Sequence, residues 1–171
     1  MDSLKIYNPQ ICILIFIVLF SCCAHTPANY NVQSKRIYDK NYDEVWASVI
    51  SIFAEKNIPI KTIEKDSGII VTENMNIPSS EFSAFNYVSK YCDCGSPGFL
   101  FIFKQFTGSY NVFARKTSND KTSVQLNTSF RASKFSGNNF IEWTNCATTG
   151  DLERGFFRDL NFKLNVSEYG K

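Results

Sequence analysis

Between Gly108 and Ala132 the chain reads GSYNVFARKTSNDKTSVQLNTSFRA, and its apolar side chains recur with a period of two. Tyr110, Val112 and Ala114 share one face of the first arm, and Val124, Leu126, Thr128 and Phe130 share one face of the second. Successive strand residues point to opposite faces, so this pattern sets one side of a hairpin on a core and the other in water. Ser118-Asn119-Asp120-Lys121 supplies turn residues between the arms. A chain built on such a hairpin must cover one sheet face, and two amphipathic segments are suited to the task. The first follows Asn41 and Glu44, a capping-box pair, and carries Val45, Val49, Ile52 and Phe53 at helical spacing with Trp46 beside them, before Pro59 ends it. The second carries Leu152, Phe156, Leu160 and Leu164 on one stripe flanked by Phe157, with Thr148 or Thr149 as the expected N-cap. Asp151 and Glu153 fall in its first turn, where the helix dipole favours negative charge. The expected fold class is α+β, an antiparallel sheet with two main helices, one early and one C-terminal, on one face.

Shorter elements complete the expectation. Val32–Tyr38 reads as a first strand, residues 58–63 alternate, and Asp66-Ser67-Gly68 turns the chain into Ile69–Thr72, giving a strand–helix–hairpin start. Asn74–Ala84 reads as a long loop, Phe85–Tyr91 as a strand, CDCGSPG as a turn and Phe99–Phe103 as a buried strand. FSGNNF turns the chain before a strand at Ile141–Thr144. Glu153, Arg154, Arg158 and Asp159 read as a solvated helix face.

The N-terminus has a different character. Ile11–Phe20 is an unbroken apolar run of ten residues, half of the roughly 20 that a spanning helix needs. Its length suits the apolar region of an export signal. Leu19-Phe20-Ser21-Cys22 follows, and it resembles the lipobox of bacterial lipoproteins: an aliphatic residue, one spacer, a small residue, then cysteine. That resemblance implies cleavage before Cys22 and a diacylglyceryl group on its thiol. Residues 1–21 would be a signal peptide, 22–35 a lipidated N-terminus and flexible tether, and 36–171 a single globular domain. Each buried CH₂ contributes about 0.8 kcal/mol, so two or more acyl chains hold a protein to a bilayer without a spanning helix. By the family's sorting habit, the absence of Asp after Cys22 implies the periplasmic face of an outer membrane. His25, the sole histidine, falls in the tether and is expected in solvent, away from any general-base role.

The acidic-aromatic helix start Tyr42-Asp43-Glu44-Val45-Trp46, the isoleucine-rich segment after it and the Asp66-Ser67-Gly68 turn carry a second likeness. Together they resemble the repeated domain found in a lipoprotein of the bacterial outer-membrane barrel-assembly complex, and uncharacterised bacterial lipoproteins that share the pattern. The resemblance implies helices on one face of an antiparallel sheet and carries over no catalytic residues.

Six cysteines need places. Cys12 would leave with the signal, Cys22 is the lipidation candidate, Cys23 adjoins it, and Cys92, Cys94 and Cys146 stay in the domain. Export implies an oxidising compartment, where a disulfide is the ordinary fate of such residues. Cys94–Cys146 is the preferred pair, with Cys92–Cys146 as its rival, since alternate strand residues point the same way. Zinc is not expected, because three cysteines lack a fourth ligand. No cofactor and no catalytic set is expected. A formal net charge of +2, with its basic residues scattered, leaves no electrostatic footprint for nucleic acid. The functional expectation is a non-enzymatic, membrane-anchored envelope lipoprotein whose domain binds another envelope protein. The alternative is a lipid- or small-molecule-binding domain using a groove between the C-terminal helix and the sheet, since sixteen phenylalanines exceed what a core of this size needs.

Overall fold

The computed structural model describes residues 25–82 and 87–167. The apolar run, Cys12, Cys22, Cys23 and the first two residues of the Phe85–Tyr91 segment lie outside the described residues. Eight strands make an antiparallel sheet: β1 (Lys35–Tyr38), β2 (Ile60–Glu64), β3 (Ile69–Thr72), β4 (Met75–Ile77), β5 (Cys92–Asp93), β6 (Ile102–Ser118), β7 (Lys121–Ser136) and β8 (Asn139–Thr148). Two helices, α1 (Tyr42–Glu55) and α2 (Asp151–Lys163), complete an α+β fold. Neither of these helices is long and apolar enough to cross a membrane.

The β6–β7 hairpin is the spine. Its arms pair from Ser118↔Lys121 out to Ile102↔Phe135, a span of roughly 55 Å at the usual strand rise. The outer edge of β6 takes β3 and β4, and the outer edge of β7 takes β1 and then β8. On one face, Tyr110, Val112, Ala114, Val124 and Leu126 are buried beneath both helices. Val45, Trp46, Val49, Ile52 and Phe53 reach that face from α1, and Phe156, Phe157, Leu160 and Leu164 from α2. The Phe53 ring sits 6.0 Å from Tyr110 and 6.3 Å from Phe156, joining sheet and helices in one core. The opposite face carries Asn111, Arg115, Asn127, Ser129 and Arg131, so the alternation read along the hairpin places its polar half in water.

Local signals explain the ends of the elements. Asn41 Oδ1 accepts from the Glu44 backbone N at 2.9 Å, while the Glu44 carboxylate turns to Lys40 rather than closing the box. Asn57 takes a left-handed φ of 51° after α1, ahead of Pro59. Gly68, at φ 70°, turns β2 into β3 so close to β6 that a Cβ there would overlap the Ala114 carbonyl oxygen. Asn161 completes a buried link from β1 to α2. With its amide oriented to satisfy both ends, it accepts from Arg36 Nη1 at 2.9 Å and donates to Tyr38 Oη at 3.0 Å.

The middle of the chain departs from the sequence reading. Asn74–Ala84 is not simply a loop: Met75–Ile77 is β4, paired with residues 106–108 of β6. Among the described residues of the expected Phe85–Tyr91 strand, Val88 makes a single bridge to Asp93, and the two-residue β5 falls within the expected CDCG turn. Phe99–Phe103 is not a buried strand. Phe99 is 87% and Leu100 69% exposed, and β6 begins only at Ile102. The difference has one cause: an apolar run without alternation cannot reveal whether both faces, or neither, are covered.

A second buried cluster lies farther out on the same sheet face, made by Cys92, Cys94, Phe103, Phe106, Phe130 and Ala132. Here the cover comes from Ile77, Phe82, Tyr87 and Tyr91 with Leu152 of α2 beside them, and Phe82 stacks on Phe106 at 3.8 Å between centroids.

Candidate functional site

The residues proposed as a tether are bound to the domain from His25 onward. Asp93, with no exposed surface, accepts from Ala28 N at 2.9 Å, Tyr30 Oη at 3.1 Å and Gly95 N at 2.8 Å, and its Oδ2 lies 3.5 Å from His25 Nε2. The His25 carbonyl accepts from Ser96 N at 2.7 Å, and the Ser34 carbonyl from Leu126 N at 2.8 Å. Residues 25–34, expected as part of a tether, are thus hydrogen-bonded to the domain at these points, and His25 faces a carboxylate. The segment docks through hydrogen bonds to a residue far along the chain, which leaves no apolar period to read.

Burial opposes ionisation of Asp93, but the donors from Ala28, Gly95 and Tyr30, with the nearby His25, outweigh it and hold the carboxyl below the ordinary range. A depressed folded pKa stabilises the docked state above the unfolded pKa, and that stability is lost as pH falls through the folded value. Asp93→Asn keeps the shape but removes acceptor capacity. It should cost about 1–3 kcal/mol and free the Ala28 amide to exchange with solvent at neutral pH. Hydrogen exchange measures this directly. The wild type should approach the variant's behaviour, after correction for intrinsic rates, only below about pH 4.

Cys94 and Cys146 form a disulfide that ties the end of β5 to β8. Cys92 is a buried free thiol, and the three sulfurs lie within 4.8 Å of one another. The rival pair Cys92–Cys146 is thus not the one formed, although Cys92 and Cys94 do face the same cluster. Burial pushes the Cys92 thiol up, against the lowering effect of the Ser89 hydroxyl, so it stays protonated and weakly nucleophilic. With two sulfurs joined covalently, one thiol remains in the trio, short of the four ligands that structural zinc takes.

Glu153 corrects another expectation. It is 2% exposed rather than solvated, and accepts from Thr128 Oγ1 at 2.6 Å and Thr148 Oγ1 at 3.0 Å. Its position was legible, since 153, 157, 160 and 164 form one helical stripe; its charge disguised it. Neither Thr148 nor Thr149 is the N-cap. Gly150 takes that place at φ 80°, because Thr148 is still paired in β8 opposite Cys92.

Between the two buried clusters the sheet face is left open. The opening is a groove of about 770 Å³ bounded by the end of α1, the first turns of α2 and β4. Gly108 lies in its floor, where the Phe130 ring packs so close that a Cβ would stand 2.9 Å from it. The floor is apolar, with Ile77, Tyr110, Phe130 and Phe156. The rim is basic. Asp151 lies 3.2 Å from Arg154 and 3.4 Å from Lys90, and Asp159 lies 2.8 Å from Lys56 and 3.6 Å from Arg158. Asp151 and Asp159 are each shared between two cations, and with Arg36 and Glu81 also lining the groove the cations there still outnumber the carboxylates. Arg154, Arg158 and Asp159 are on the surface as expected, whereas the buried carboxylates Asp93 and Glu153 do not line the groove.

Neither a family model nor a curated protein matches the chain. The likeness to the barrel-assembly lipoprotein domain therefore rests on the sequence features alone: the helix start at 42–46, the isoleucine-rich segment after it and the turn at 66–68. No signal in the sequence singled out Gly108 or Asp93. Both act through partners distant in the chain, although the Asp93-Cys94-Gly95 run matches the Asx turn that Asp93 makes with Gly95.

Proposed function

We propose that the protein is a membrane-anchored envelope lipoprotein, lipidated at Cys22, that acts by binding another envelope protein rather than by catalysis. The observation that carries the binding role is the groove over Gly108, with its apolar floor and net basic rim. Such a surface suits a partner segment with apolar side chains and flanking carboxylates. The Cys94–Cys146 bridge supports an oxidising compartment, in keeping with export. Localisation at the periplasmic face of the outer membrane, and kinship with the barrel-assembly lipoprotein, belong to the same proposal.

The groove's volume also favours a second reading, since it falls within the range of small-ligand pockets. An amphiphilic anion would use the same floor and rim. Photocrosslinking from Met75 in the native envelope separates the two. The partner reading expects discrete protein adducts that weaken roughly tenfold when Arg154 and Arg158 are both changed to Glu. A reproducible small-molecule mass bound to the intact protein, without protein adducts, would favour the amphiphile. Adducts that ignore the charge reversal would remove the groove from the account.

A further inference from the structure

The far end of the β6–β7–β8 arms carries apolar side chains that the fold does not cover. Leu100 is 69% exposed, Ile102 44%, Phe140 51%, Ile141 47% and Trp143 43%, all within the turns and strand ends around the Ile102↔Phe135 and Phe135↔Phe140 pairs. Phe135, Phe140 and Trp143 form a run of rings with centroids 5.7 and 6.2 Å apart. Lys104 lies over the Phe135 ring and Lys134 over the Phe101 ring, each at 4.5 Å. Glu142, 3.4 Å from Lys134, is the acidic residue among them.

The topology puts the start of the described chain at this same end. β5 is antiparallel to β8, with Cys92 opposite Thr148 and Asp93 opposite Ala147. The chain leaving Cys94 therefore heads toward lower β8 numbers, that is, toward Phe140, before entering β6 at Ile102. His25 is bonded to that outgoing stretch at Ser96, and the bound segment then runs back past Asp93 and Gly150 to Ser34 beside Leu126. Its N-terminal end thus points to the apolar tip. Cys22 is three residues earlier, a reach of at most about 11 Å.

We infer that the tip made by Leu100, Ile102, Phe140, Ile141 and Trp143 is a bilayer-docking surface that seats the domain on the membrane holding its lipid anchor. The inference rests on the anchor proposed above. An aromatic and aliphatic tip with lysines at its margin has the composition that lodges at the interface between acyl chains and anionic headgroups. An acyl group delivered within a few residues' reach holds such a tip at the surface, where weak individual contacts act together. The domain then stands with its long axis away from the lipid and its groove held clear of the bilayer.

Trp143 is a built-in reporter, because the chain has two tryptophans and the other, Trp46, is a buried residue of α1. The full-length acylated protein, as wild type and as Trp46→Phe, is reconstituted into phosphatidylethanolamine–phosphatidylglycerol vesicles with plain or brominated acyl chains. Bromine should quench most of the Trp143 emission in both proteins. Leu100→Asp with Phe140→Asp should abolish the quenching while palmitate labelling is unchanged. Acylated protein whose Trp143 emission is the same in both vesicles overturns the docking and leaves the anchor intact. So does emission that responds only when envelope proteins are added, which assigns the tip to a protein partner. Unacylated protein that is still quenched on the same vesicles supports the tip as a bilayer surface that works without the anchor.

Discussion

Cys94→Ala combined with Cys146→Ala should lower the unfolding free energy by about 4 kcal/mol, whereas Cys94→Ala alone should cost clearly less. The bridge closes a loop with a sequence separation of 52, and restricting the unfolded chain over that length is worth about 4 kcal/mol in the chain-entropy description. The native state depends on it locally. β5 is two residues long, and Cys92 and Cys94 at that point pack with Phe103, Phe106 and Phe130. The single variant differs because Cys92 is already in reach, its sulfur within 4.8 Å of Cys146. Under oxidising conditions it should form a Cys92–Cys146 bond that closes a loop of nearly the same length. Its high thiol pKa makes that exchange slow at neutral pH but not unfavourable. Urea unfolding gives the two stabilities, and non-reducing peptide mapping gives the pairing. Equal losses in the single and double variants, with Cys92 still free in the former, would refute the substitution.

The hairpin and both helices were legible because periodicity reports burial directly. Val112 and Leu126 alternate with polar neighbours, and Phe157, Leu160 and Leu164 recur at helical spacing, so each pattern had one reading. The segment 74–103 had no such signal. β4 is three residues long, β5 two, and both exist only because β6 and β8 extend far enough to offer them an edge. Phe99-Leu100-Phe101-Ile102-Phe103 is as apolar as any core strand, yet only Phe103 is buried. Hydrophobicity alone does not distinguish a covered strand from a surface meant to be covered by something else. The site was less legible than the fold. The disulfide followed from the compartment and the turn at Cys94, but the groove is assembled from α1, α2, β4 and the β6–β7 floor, and the docked N-terminus depends on Asp93. Long-range polar partnerships of this kind leave no period in the sequence.

The proposed anchor at Cys22 ties the proposals together: the exported setting, the membrane partner and the orientation of the apolar tip would all follow from it. Its removal should be the largest functional effect of any single change. Cys22→Ser should abolish metabolic labelling with palmitate and leave a slower-migrating precursor that retains residues 1–21. The loss is expected to be complete rather than graded, because one thiol carries the diacylglyceryl group and a single further chain binds only marginally. The most direct measurement is the intact mass of wild-type protein extracted from the native membrane, with sequencing of its N-terminal peptide. A chain beginning at Cys22 and carrying acyl groups on that residue is the result predicted. A mature chain that begins elsewhere, or palmitate labelling that persists in Cys22→Ser, would contradict it.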